Sequence, residues 1–158
     1  MFFKKWKPFL IWIGITEAVG GLSGLITRNG NKIFQQTAIK PKFSPPGIVF
    51  PIVWGILYAL MGFSAARIYL ASPSSLRTRG LNLYAVQLVV NFFWSLLFFN
   101  AQAYGFAFLW LVLLWVLVLA MIITFAKIDS LAGLLQIPYL LWISFAAYLN
   151  WGVWQLNP

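Results

Sequence analysis

The stretch GLNLYAVQLVVNFFWSLLFFNAQAYGFAFLWLVLLWVLVLAMIITFA, residues 80–126, runs for 47 residues without a charged side chain. A helix crosses the roughly 30 Å hydrocarbon core of a bilayer in about 20 residues, so this run is too long for one span and suits two. Its most polar point is Asn100, Gln102, Tyr104 and Gly105, where a turn between the two spans is expected. Working outward, residues 8–27 carry Glu17 as their one charge, residues 43–66 carry none, and everything after Asp129 is uncharged. The reading is five transmembrane helices, over about 7–27, 47–70, 79–100, 104–126 and 130–155, with a loop over 28–46. The fold class is an all-α integral membrane bundle, a single domain over 1–158.

Composition agrees and excludes much chemistry. The chain is 62% hydrophobic and 8% charged, against roughly 45–50% and 25% for soluble domains. It has no cysteine and no histidine, which removes disulfides, thiolate nucleophiles, imidazole bases and most transition-metal sites. Glu17 and Asp129 are its only acids against eleven Lys and Arg, so paired-carboxylate catalysis and a calcium cage are not expected. No metal, resident cofactor or nucleic-acid partner is expected.

Basic residues flanking the spans set the orientation. With a cytoplasmic N-terminus, Lys4, Lys5, Lys7, Arg67, Arg77, Arg79 and Lys127 lie inside and Arg28, Lys32, Lys40 and Lys42 outside. That balance favours the N-terminus in. The N-terminal segment also has the build of a signal peptide, basic then apolar then small, but Glu17 falls beside the would-be cleavage site and the segment is read as a retained helix. No internal repeat of the kind common in transporters is present.

Helical spacing sorts the polar and aromatic residues into faces. Pro51, Trp54, Tyr58 and Ala65 share one stripe, Gln87, Asn91, Trp94 and Phe98 a second, and Pro138, Trp142, Ala146 and Leu149 a third. Amides on a lipid-facing stripe would lack partners, so the Gln87 and Asn91 face must look into the bundle. Counted from the predicted ends, Trp54, Trp94 and Trp142 lie at about the same depth, near mid-membrane. Two readings follow from the stripes: tryptophans filling a packed core, or the walls of a cavity for a flat apolar ligand. Pro51 and Pro138 are expected to kink their spans and so open space.

The segment KPKFSPPGIVFPIVWGILYALMG, residues 40–62, resembles the signature of the TspO/MBR family, the translocator proteins or peripheral-type benzodiazepine receptors, in a bacterial-type member. So do QLVVNFFW at 87–94 followed by Phe98 and Phe99, and PYLLW at 138–142 leading to Ala146, Leu149 and Asn150. The resemblance implies a five-helix bundle whose cavity opens toward the long first loop, which acts as a lid. It implies binding of tetrapyrroles such as protoporphyrin IX or haem and of benzodiazepine-site ligands. The implied ligand-binding positions are Pro45, Trp54, Tyr58, Asn91, Trp94, Phe98, Trp142 and Ala146, with Phe34, Lys40 and Lys42 on the lid. Where the family often has Trp-Tyr in that loop this chain has Ile33-Phe34, and no Lys or Arg closely follows Tyr148, so steroid recognition is not implied.

For a porphyrin, the aromatics would supply a slot, and Lys32, Lys40 and Lys42 are either cations for the propionates or loop charges that meet solvent and phospholipid. Without His or Cys, recognition is expected to rest on shape and edge charge rather than on iron. Glu17, the one intramembrane acid, is a functional candidate or, protonated, a hydrogen-bond partner for Asn91 across helices. Asp129 is expected to cap the fifth span. The favoured function is a membrane receptor or sensor for tetrapyrroles. The alternatives are a tetrapyrrole carrier and a light- and oxygen-dependent porphyrin-degrading enzyme, in which Trp54 and Trp142 would flank the substrate. Membrane lipid surrounds the chain, a homodimer stays open, and a bacterial plasma membrane is the expected location.

Overall fold

The computed structural model describes residues 2–158, and its described residues form helices and connections without a strand. In order these are α1 (Phe2–Ile26), α2 (Arg28–Thr37), α3 (Val49–Tyr69), α4 (Ser75–Ser95) running into a π-helical turn (Leu96–Asn100), α5 (Tyr104–Ile128), α6 (Ser130–Leu134) and α7 (Ile137–Leu156). Among the described residues five segments are long and apolar enough to cross a membrane: Lys4–Ile26, Val49–Tyr69, Ser75–Asn100, Tyr104–Ile128 and Ser130–Leu156. Apolar side chains cover the outside as well as the inside, with Leu10, Leu25, Ile56, Leu109 and Leu141 all exposed. This all-round apolarity is the pattern of helices solvated by lipid.

Between such helices there is no hydrophobic drive to associate, so close packing and hydrogen bonds must hold the bundle. Both are present. Gly62 on α3 lies against the backbone of Ile13 on α1, where an added Cβ would fall 2.5 Å from the Ile13 Cα. Thr16 on α1 hydrogen-bonds the Tyr84 hydroxyl on α4, and Trp110 Nε1 on α5 donates to the Val90 carbonyl at 2.7 Å. At the end of the bundle where α3 finishes, Arg67 Nε donates to Asp129 Oδ2 at 2.7 Å. Asp129 Oδ1 accepts from Leu131 N at 3.1 Å, so this acid caps the start of the last span as expected.

Three expectations change. The first connection is not loop throughout 28–46: Arg28–Thr37 is helical. It is polar on most sides, but Gly30 and Phe34, four apart on one face, are buried. Gly30 sits on the Phe99 carbonyl, where a Cβ would be 2.6 Å away, and Phe34 packs on Phe98, Phe99 and Tyr104. The last span, expected as one helix over 130–155, is broken at Leu135 and Gln136. Pro138 explains the break, because its ring conflicts with the carbonyl four residues back, that of Leu134, where α6 ends. Pro51, in contrast, kinks nothing. It stands in the first turn of α3, where its missing N–H has no helical partner to lose.

Candidate functional site

A cavity of about 460 Å³ lies between α1, α3, α7, the π-helical end of α4 and the lid formed by α2 and the segment after it. That volume is in the range of small-molecule sites. Pro45, Trp54, Tyr58, Trp94, Phe98, Trp142 and Ala146 all line it, as do Phe34 and Lys40 from the lid. Trp54 stacks on Tyr58 with ring centroids 5.4 Å apart and meets Trp142 edge to face at 6.5 Å. Trp94 forms a separate wall, stacked on Phe98 at 5.2 Å, and its Nε1 donates to Asn150 Oδ1 at 3.0 Å. The three tryptophans therefore surround one space, although only Trp54 and Trp142 touch in an aromatic pair.

The π-helical turn places both Phe98 and Phe99 on the lining. A π-turn inserts one extra residue per turn, re-aiming the side chains that follow it, and such turns are common at functional sites. Asn150 is fixed in its turn by donating Nδ2 to the Tyr104 carbonyl at 2.8 Å. Trp142 Nε1 is buried without a hydrogen-bond partner. A buried donor left unpaired carries a free-energy cost that an acceptor would relieve.

Several expected positions differ. Asn91 is not on the wall. It is buried behind Tyr58, accepting from the Tyr58 hydroxyl at 3.0 Å and donating Nδ2 to the Tyr139 hydroxyl at 2.6 Å. With its amide so engaged, Asn91 makes no bond to Glu17, which instead lies on the cavity lining. Lys42 and Lys32 are exposed and outside the lining. Lys40 is the lid cation at the cavity, its Nζ donating to Gln35 Oε1 at 2.8 Å and standing 5.7 Å from the Phe34 ring centroid.

The sequence reading took Glu17 as a candidate but missed the rest of the wall contributed by α1, where Gly20, Gly21, Ser23, Gly24 and Thr27 also line the cavity. It also missed the strap that holds the lid. Ile39 N donates to Asn157 Oδ1 at 3.0 Å and Asn157 Nδ2 returns to the Ile39 carbonyl at 2.8 Å. The Tyr148 hydroxyl donates to the Lys42 carbonyl at 2.8 Å, and Gly152 makes room for Pro41. The lid is thus tied to the far end of α7.

The sequence pattern of the TspO/MBR family matches residues 12–155, which takes in most of the first spanning segment, the three that follow, the lid and all but the final residue of the last. The chain belongs to the TspO/MBR family. Relatives within it include the tryptophan-rich protein TspO of Chlorobaculum tepidum, 37% identical over 98% of this chain and 99% of the relative. The translocator protein of Sus scrofa is 38% identical over 95% of this chain and 92% of its own. The tryptophan-rich sensory protein of Cereibacter sphaeroides is 36% identical over 75% of this chain and 73% of its own. As a TspO/MBR member with five apolar spans, the chain is an integral, multi-pass membrane protein.

Proposed function

We propose that this protein is a membrane receptor or sensor that binds tetrapyrroles, protoporphyrin IX or a haem-like ring, and benzodiazepine-site ligands in the lidded cavity. The observation that carries the reading is the perpendicular Trp54–Trp142 pair on a wall continued by Tyr58. Two aromatic planes at right angles can meet a flat ring with one face and one edge at once. Trp94, Phe98, Ala146, Pro45 and Phe34 extend the apolar surface. Lys40 stands at the lid as a cation for a propionate, and Trp142 Nε1 offers an unpaired donor. The sensory name of one relative is in keeping with a receptor role.

The chain is read as a bacterial plasma-membrane protein with its N-terminus cytoplasmic, which puts the lid and cavity mouth on the outer face. Supporting this, the ends of the bundle near Lys4, Lys5, Lys7, Arg67, Arg77, Arg79 and Lys127 carry more basic residues than the lid end. The test is a titration of the purified protein in detergent with protoporphyrin IX, read by quenching of tryptophan emission. Saturable quenching at stoichiometric ligand is expected; quenching that rises linearly without saturation would overturn the reading.

A further inference from the structure

The cavity has a second boundary, toward lipid. Its lining includes Gly21 and Gly24 on α1 and Pro51 and Gly55 on α3, and of these Gly21, Gly24 and Pro51 are exposed. A Cβ built on Gly21, Gly24 or Gly55 meets no neighbouring atom within 4 Å. Nothing is packed into that gap. Deeper in the membrane the same helices are closed, with Gly20 under the Tyr58 ring and Gly62 against the Ile13 backbone. From the level of Tyr58 toward the lid, α1 and α3 therefore leave a side opening rimmed by glycine and proline.

Glu17 lies at the base of this opening. Gly21 and Gly24 follow it by four and seven residues, so all three share one helix face. The residue is half-buried and lines the cavity. Among the described residues no hydrogen bond or ion pair engages its carboxyl group, and Lys40, the other charged residue of the lining, is bonded to Gln35 instead. Glu17 stands nine residues before the end of α1, about 13 Å into the span at 1.5 Å per residue. An unpaired carboxyl at that depth is costly and calls for a partner.

We propose that Glu17 is an ammonium-binding site, filled from the bilayer through the opening between α1 and α3 by a lipid-soluble amine with a flat apolar body. The body lies on Tyr58 and Trp54 while the protonated amine pairs with the Glu17 carboxylate. Charge complementarity selects this ligand class: a neutral molecule leaves the acid unpaired, and an anionic end is repelled. The site shares the Tyr58 and Trp54 wall with the tetrapyrrole reading but answers the opposite ligand charge, which that reading assigns to Lys40.

The test uses the whole chain in lipid nanodiscs, with 1-pyrenemethylamine and its neutral N-acetyl derivative as probes and tryptophan-to-pyrene energy transfer as the readout, corrected with empty nanodiscs. The wild type is expected to bind the amine about tenfold more tightly than the neutral probe, equivalent to about 1.4 kcal/mol. Glu17→Gln is expected to bind both probes equally, at the wild-type affinity for the neutral one, and Glu17→Asp to keep the preference. Gly24→Leu, whose side chain enters open space at the rim, is expected to slow capture of the amine several-fold. Equal binding of both probes by the wild type, or undiminished preference in Glu17→Gln, would overturn the site. An unchanged capture rate in Gly24→Leu would overturn the side entrance. Failure of the protoporphyrin titration would touch neither result.

Discussion

The Tyr58 hydroxyl donates to Asn91 Oδ1 at 3.0 Å, and this bond joins the cavity wall to a polar chain buried behind it. Asn91 Nδ2 donates to Tyr139, the Tyr139 hydroxyl donates to Gln87 Oε1 at 2.7 Å, and Gln87 Nε2 reaches Met61 Sδ at 3.2 Å. The chain ties α3, α4 and α7 together at a depth where lipid offers no alternative partners. Asn91 is thus a positioning residue that fixes Tyr58 and, through it, the stacked Trp54.

Removing the middle of that chain is the first prediction. Tyr139→Phe keeps the ring against Trp54 but leaves both Asn91 Nδ2 and Gln87 Oε1 short of a partner. A loss of about 1–3 kcal/mol of stability is expected, measured by thermal unfolding in detergent. An unchanged melting temperature would mean that the chain contributes nothing to the fold.

The α1–α3 contact gives a second, with its own control. Gly62→Ala drives a Cβ to 2.5 Å from the Ile13 Cα, backbone that cannot swing aside, whereas Gly14→Ala meets nothing within 4 Å. Overpacking at Gly62 is expected to cost about 1–3 kcal/mol, while Gly14→Ala should be neutral or slightly stabilising because alanine favours helix. Equal melting temperatures for the two variants would contradict the close approach.

Acid should loosen the end of the bundle where α3 and α5 finish. Burial tends to raise the Asp129 carboxyl, but the hydrogen bond and charge of Arg67 outweigh it and hold the group below the usual carboxylate range. A depressed folded value means the stabilisation is present above the unfolded value, near 3.9, and is lost as pH falls through the folded one. The pair is partly exposed, so about 0.5–1 kcal/mol is expected. Between pH 7 and pH 3 the wild type should therefore lose more of its melting temperature than Asp129→Asn. Parallel losses would show that the pair is not the acid-sensitive element.

The lid cation gives a prediction about ligands. Lys40→Ala is expected to weaken protoporphyrin IX several-fold while leaving its dimethyl ester unchanged, as fluorescence titration of both would show. Equal weakening of acid and ester would assign Lys40 to holding the lid through Gln35 rather than to meeting a propionate.

The spans and the aromatic stripes were legible in the sequence because both are local: a charge gap is counted directly, and residues four apart share a face whatever packs on it. Trp54 with Tyr58, Trp94 with Phe98 and Trp142 with Ala146 could each be placed on a stripe for that reason, while setting the three stripes around one cavity came from the resemblance to the family. The α1 wall was not legible, since Gly20, Gly21 and Gly24 shape the cavity by what they lack, and absence of a side chain carries no direction in sequence. Nor was α2, whose helicity depends on Gly30 and Phe34 reaching the π-helical end of α4, far along the chain. Asn91 had the right face and depth, but which partner takes its amide is a tertiary fact, and Tyr139 rather than Glu17 does so.

The Trp54–Trp142 pair is proposed as the ligand-binding wall, and the protoporphyrin IX affinity of Trp54→Ala and Trp142→Ala against wild type tests it most directly. Each truncation removes one plane of the pair, and loss of one ring contact is expected to weaken binding by about 0.5–1.5 kcal/mol beyond the lost area, several-fold or more. Affinities unchanged in both variants would contradict the assignment.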